Sequence, residues 1–148
     1  MSTPHLIAAV LNWGVAVALF GIGIDYVRST VPKPHHLKML DVPWESLTPM
    51  TRLLIITLLR GTGLVAGVTG VFMGILLYEP YSRQEPWSRV AVLVAGCATL
   101  VPTLLGTIRV RRQAGPYAPM WPHFVMLAAL GVAFWLNRDF GTAVATAP

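Results

Sequence analysis

The side chains most able to do chemistry in this sequence are the charged and imidazole groups set in or beside apolar runs. Arg60 interrupts the longest of those runs. A charge in such a segment marks a functional site by default, because lipid solvates it badly. Asp25 closes the preceding apolar run, and a carboxylate paired with a guanidinium would offset the desolvation of both and set the helix register. Depth limits what the two can do. Tyr78 follows Arg60 by eighteen residues, about 27 Å of helix. Asp25 follows Leu6 by nineteen, a similar distance from the same face. Both therefore belong near the cytoplasmic edge of a bilayer, not at its midplane. Arg60 has three available uses: snorkelling to head groups, a structural ion pair with Asp25, or contact with a substrate or proton.

His35 and His36 stand together in the first loop, with Asp41 and Glu45 downstream. Imidazole and carboxylate ligate zinc or non-haem iron. Their spacing matches no metal signature, and Lys33 and Lys38 oppose a cation, so the expectation is a solvated interfacial loop. His5 and His123 fall near opposite faces, which argues against a haem held between them. A single axial ligand from His123 to haem or pigment stays open. Cys97 is the single cysteine, so no intrachain disulfide or cysteine-pair metal site can form. It reads as a small apolar side chain. Asn12 reads as helix glue. Pro102 frees the Ala98 carbonyl and is expected to kink its helix, with Thr99 and Thr103 placed to re-satisfy the backbone. The six carboxylates are scattered over loops and ends, and there is no nucleophile–base pair or phosphate-cradling loop. No catalytic residue and no metal ligand is predicted, the cofactor is left unknown, and the balance is against an enzyme.

The elements that must position these residues are four apolar runs of membrane-spanning character. They extend from about Leu6 to Ile24, Pro49 to Tyr78, Trp87 to Ile108 and Trp121 to Leu136, the last with a possible extension toward Phe140. Thr48-Pro49 is an N-cap followed by proline at the first helical position. Pro80 is expected to end the second span. Gly115-Pro116-Tyr117 and Pro119 break the chain before the fourth. Tyr78, Tyr81 and Trp87, and then Tyr117 and Trp121, form aromatic clusters suited to the head-group level. The tail after Phe140 is small and weakly polar, and is expected to be poorly ordered. The first run is read as a retained helix, since no Lys or Arg precedes it and it is longer than a secretory h-region.

Two stripes of small residues suggest how the helices meet. Gly63, Gly67, Gly70 and Gly74 share one face of the second span. Gly14, Ala18 and Gly21, followed by Asp25, repeat the same spacing on the first. Glycine faces let backbones approach closely in lipid. The two stripes are expected to face each other, the competing use being contact with another subunit.

Composition agrees with a bilayer setting. Apolar residues make up 55% of the 148 residues and charged residues 11%, with a mean hydropathy of +0.63. The net charge of +5 is placed beside apolar spans and lacks interleaved stacking aromatics, which points to anionic head groups and away from nucleic acid. Arg28, Lys33, Lys38 and Arg52 with Arg109, Arg111 and Arg112 put seven basic residues on one side, against Arg83, Arg89 and Arg138 on the other. The positive-inside rule then places both termini outside the cytoplasm. Arg109, Arg111 and Arg112 read as a lipid head-group clamp.

In helix count and length the chain is similar to small four-helix bacterial inner-membrane proteins of no assigned activity, loosely DoxX-like in layout. That resemblance implies a bacterial inner-membrane location and carries no site residues. The reading is a single all-α domain, a four-span bundle, serving as an accessory or structural subunit of a larger membrane complex, with a respiratory or photosynthetic host plausible. Its partners would be anionic lipids and other membrane subunits. The alternatives are a small oligomeric transporter or channel using the Asp25/Arg60 region, and a membrane enzyme with a metal at the His35/His36 loop.

Overall fold

Long runs of Leu, Val, Ala, Ile and Gly offer the backbone no side-chain partners, so its amides and carbonyls are satisfied within helices. A computed structural model describes residues 3–40, 42–116 and 118–138. Asp41, Tyr117 and the residues from Asp139 onward, Phe140 and the tail among them, lie outside the described residues. Among those residues the chain is helical, with no strand: α1 (Thr3–Arg28), a one-turn α2 (Pro34–Leu37), a 3-10 turn at Trp44–Ser46, α3 (Pro49–Leu76) running into a π turn at Leu77–Tyr81, α4 (Ser88–Ala114) and α5 (Trp121–Leu136). Helices α1 and α4, and α3 together with its π turn, are each long and apolar enough to cross a membrane, and α5 is a shorter apolar helix of 16 residues.

The four long elements alternate in direction around a ring. Helix α1 packs most extensively on α3, α4 follows α3, and α5 closes the ring between α4 and α1. The core runs down the middle through Val15, Leu19, Met73, Val92, Leu100 and Leu130. Thr48 caps α3, its Oγ1 accepting from the Thr51 N–H at 3.2 Å. Thr69 of α3 and Thr99 of α4 join hydroxyls at 2.7 Å.

Several helix ends differ from the sequence expectation. Helix α1 continues past Ile24 to Arg28, and α4 past Ile108 to Ala114. A helix need not stop where its apolar run stops, and Arg109, Arg111 and Arg112 are good helix formers beside a C-terminal dipole that favours cations. Gly115 ends α4 at φ 91°, a left-handed conformation that suits glycine at this position. Pro80 does not end the second span at Tyr78. The chain takes a π turn through it to Tyr81, because the wider turn tolerates a residue without an amide hydrogen. Around Pro102, Thr103 donates to the carbonyls of Thr99 at 2.8 Å and Leu100 at 3.0 Å, not to Ala98, while the Thr99 hydroxyl is engaged with Thr69.

The closest backbone approach joins α1 to α3. A Cβ added to Gly23 would lie 2.5 Å from the Gly67 nitrogen and 2.8 Å from the Gly63 oxygen, and one on Gly70 would lie 2.6 Å from the Ala16 oxygen. The α3 stripe of Gly63, Gly67 and Gly70 therefore meets α1 of the same chain, and Gly74 lies against the Trp13 ring. The α1 face that meets it is Ala16, Phe20, Gly23 and Val27, not Gly14, Ala18 and Gly21. Gly14 and Gly21 are exposed with nothing within 4 Å of a Cβ, and Ala18 packs at the edge of the core. The two faces differ by two residues, or about 200° around the helix. Only the Gly23 face offers α3 a position at which two backbones can touch.

Candidate functional site

The helix rotation decides the charges at the end where α1 leaves and α3 enters. Asp25 stands two residues beyond Gly23 and so points away from α3. Its Oδ1 takes Lys33 Nζ at 2.5 Å, and its backbone carbonyl accepts the Ser29 hydroxyl at 2.7 Å. Arg60 donates through Nε to the Ser29 carbonyl at 3.3 Å, where a cation complements the end of α1. The expected Asp25–Arg60 ion pair is thus replaced by two separate contacts. Both side chains are exposed.

The first loop folds back over the same end. His36 meets the Tyr26 ring edge-on at 5.7 Å, and the His35 and His36 rings are 4.1 Å apart. Burial, followed by the neighbouring His35 and Lys33, pushes His36 down to about 4, and burial with Lys33 lowers His35. His36 is therefore neutral at physiological pH, with a buried Nδ1 that has no hydrogen-bond partner. No group of three His, Cys, Asp or Glu side chains comes together among the described residues. Glu45 contributes its backbone carbonyl, which accepts from Arg52, itself placed 6.0 Å over the Trp44 ring. A metal site at this loop lacks a ligand set within those residues.

The opposite end holds a buried polar cluster. Asn12 Nδ2 donates to the Tyr81 hydroxyl at 3.2 Å, and Asn137 Nδ2 donates to the same oxygen. Arg89 Nη1 donates to the Asn137 and Arg138 carbonyls at 2.7 Å each, and the Arg89 guanidinium lies 5.3 Å over the Phe134 ring. Asn137 is fully buried, and Asn12 and Tyr81 are 4% exposed. The π turn delivers Tyr81 into this position. One hydroxyl thereby links α1, the end of α3 and the end of α5, and Arg89 adds α4. The cluster contains no nucleophile–base pair, so its chemistry is that of a clamp.

Sequence reasoning identified Asn12 as helix glue but took Tyr81 for an interfacial ring and Arg89 for a topology charge, and did not single out Asn137. Asn137 and Arg89 carry no periodic signal, because they act through residues far away in sequence. Gly96 was also missed. It receives the Leu130 side chain, whose Cδ1 would lie 2.5 Å from an added Cβ.

The remaining candidates are spread out. Arg111 donates to the Ala118 carbonyl at 3.3 Å and closes the turn into α5, while Arg109 and Arg112 are exposed. His123 is half-buried in the first turn of α5, with an unpartnered Nδ1. Cys97 is half-buried and packs beside the core. On the outer flank of the α1–α3 contact lies an open apolar groove of about 520 Å³, with Arg28 among its lining residues. Comparison of the chain with known protein families, with curated proteins and with solved structures finds no match.

Proposed function

We propose that this chain is an integral protein of a bacterial inner membrane, crossing it four times with both termini on the non-cytoplasmic side, and that it serves as an accessory subunit of a larger membrane assembly. The observation that carries the reading is the inverted surface of the bundle. Large apolar side chains face outward along every long helix, among them Val17 and Leu58 at more than 60% exposed, while Asn12, Tyr81, Thr99 and Asn137 point inward. In water such a surface would drive aggregation, whereas lipid tails or neighbouring helices accept it. Helix α5 has 16 residues, about 24 Å of helix, and spans a ~30 Å core only with local thinning or tilted neighbours. Arg28, Lys33, Lys38, Arg52, Arg109, Arg111 and Arg112 on one side support a cytoplasmic placement of that face.

The accessory role rests on what the side chains are used for. The polar groups hold helix to helix, and no reactive pair or midplane charge is formed among the described residues. The test is the native mass and polypeptide content of the particle extracted in a mild detergent. A large particle with other stoichiometric polypeptides is the expected outcome. A lone monomer or small homo-oligomer would overturn the subunit role.

A further inference from the structure

We propose that the groove between α1 and α3 binds one anionic phospholipid, an acyl chain lying along the groove and the phosphate meeting Arg28 and Arg60. The proposal rests on the membrane reading above and goes beyond it, since a chain can span a bilayer without holding any one lipid. The groove arises from the close helix contact. Gly23, Gly63 and Gly67 remove the side chains that would fill the seam, and Phe20, Val68 and Phe72 stand as its walls. Its α3 lining extends from Gly63 to Ile75, about 18 Å of helix, a length that suits an extended acyl chain. The volume of about 520 Å³ is open along one side, so a lipid can enter laterally from the bilayer.

Charge selects the occupant. Arg28, the last residue of α1, is the one charged group lining the groove. Arg60 adjoins it through its bond to the carbonyl of Ser29, the next residue in the chain. Asp25, the carboxylate on the same stretch of α1, is turned away and neutralised by Lys33. An apolar slot with the Arg28 guanidinium in its lining, and Arg60 held beside it on the Ser29 carbonyl, matches an amphiphile with a phosphate head, which guanidinium groups bind by charge-assisted hydrogen bonds. An apolar helix from a partner would instead cover Arg28 with nothing to pair it.

Native mass spectrometry of the full delipidated chain, titrated with phosphatidylglycerol or phosphatidylcholine of identical acyl chains, tests this. A single phosphatidylglycerol should stay bound under activation that strips phosphatidylcholine. Arg28→Gln with Arg60→Gln should weaken phosphatidylglycerol binding roughly tenfold and leave phosphatidylcholine unchanged. Val68→Trp, at an exposed groove wall, should reduce retention of the lipid while thermal unfolding stays as in the parent. Equal binding of the two lipids, no effect of either variant, or an equal loss in an Arg109→Gln/Arg112→Gln control would overturn the site, as would a copurifying polypeptide that crosslinks at position 68. Any of these results leaves the membrane reading intact, because that reading fails if the chain partitions out of the membrane, which none of them measures.

Discussion

Tyr81 ties the polar cluster together through its hydroxyl, which accepts from two buried amides, Asn12 and Asn137. Tyr81→Phe keeps the ring and orphans both donors, so it should lower stability by about 1–3 kcal/mol, read as a reduced unfolding temperature in detergent. Asp25 is the contrasting case. Its bond to Lys33 is exposed, and Asp25→Asn should change stability by less than about 1 kcal/mol. A larger loss would point to a partner other than Lys33. His36 makes the loop sensitive to acid. Its folded value is about 4 against an ordinary 6.5, so above pH 6.5 neither state is protonated and the docked loop keeps its full stability. As pH falls from 6.5 to 4 the undocked loop takes up a proton that the docked one refuses, and docking weakens progressively. Protection factors of the 35–40 amides, which take out the intrinsic slowing of exchange in acid, should therefore fall over that window, and His36→Gln should shrink the dependence to what His35 contributes.

At the scale of the elements, the α1–α3 seam is set by Gly23 and Gly70, and the exposed glycines of α1 are spectators. Gly23→Leu should disrupt the seam by at least about 1–3 kcal/mol, since its Cβ alone would collide with the backbone of α3. Gly21→Ala meets open space and should be neutral or stabilising by up to about 1 kcal/mol. Unfolding of the two variants, side by side, checks which face of α1 is used. The apolar runs, the start of α3 and the break before α5 were legible in the sequence because they depend on local chemistry: Thr48 before Pro49, Gly115-Pro116, and long stretches without charge; the ends of α1, α3 and α4 lay beyond the apolar runs. The face of α1 was not. That helix is apolar on all sides and carries small residues on two of them, so its own periodicity cannot choose. The π turn at Pro80 was hidden for a related reason, since the proline disfavours an ordinary helix and the wider turn becomes worthwhile only when Tyr81 finds the two amides.

For the whole molecule, the sequence by itself determined an all-helical chain with runs suited to a bilayer, a strong bias of Lys and Arg toward one set of loops, and a glycine face on the second span. These follow from composition and from interactions within a few residues. Tertiary structure decided which partners those residues have. Rotating α1 by about 200° exchanged Gly21 for Gly23 at the seam, sent Asp25 to Lys33 instead of Arg60, and left Arg28 in the lining of an apolar groove. It also gathered Asn12, Tyr81, Arg89 and Asn137, from four separate elements, at one end. The physical reason is that close packing fixes rotation through contacts between whole ridges of side chains, and a single charge or small-residue stripe contributes too little to that sum to be read in advance.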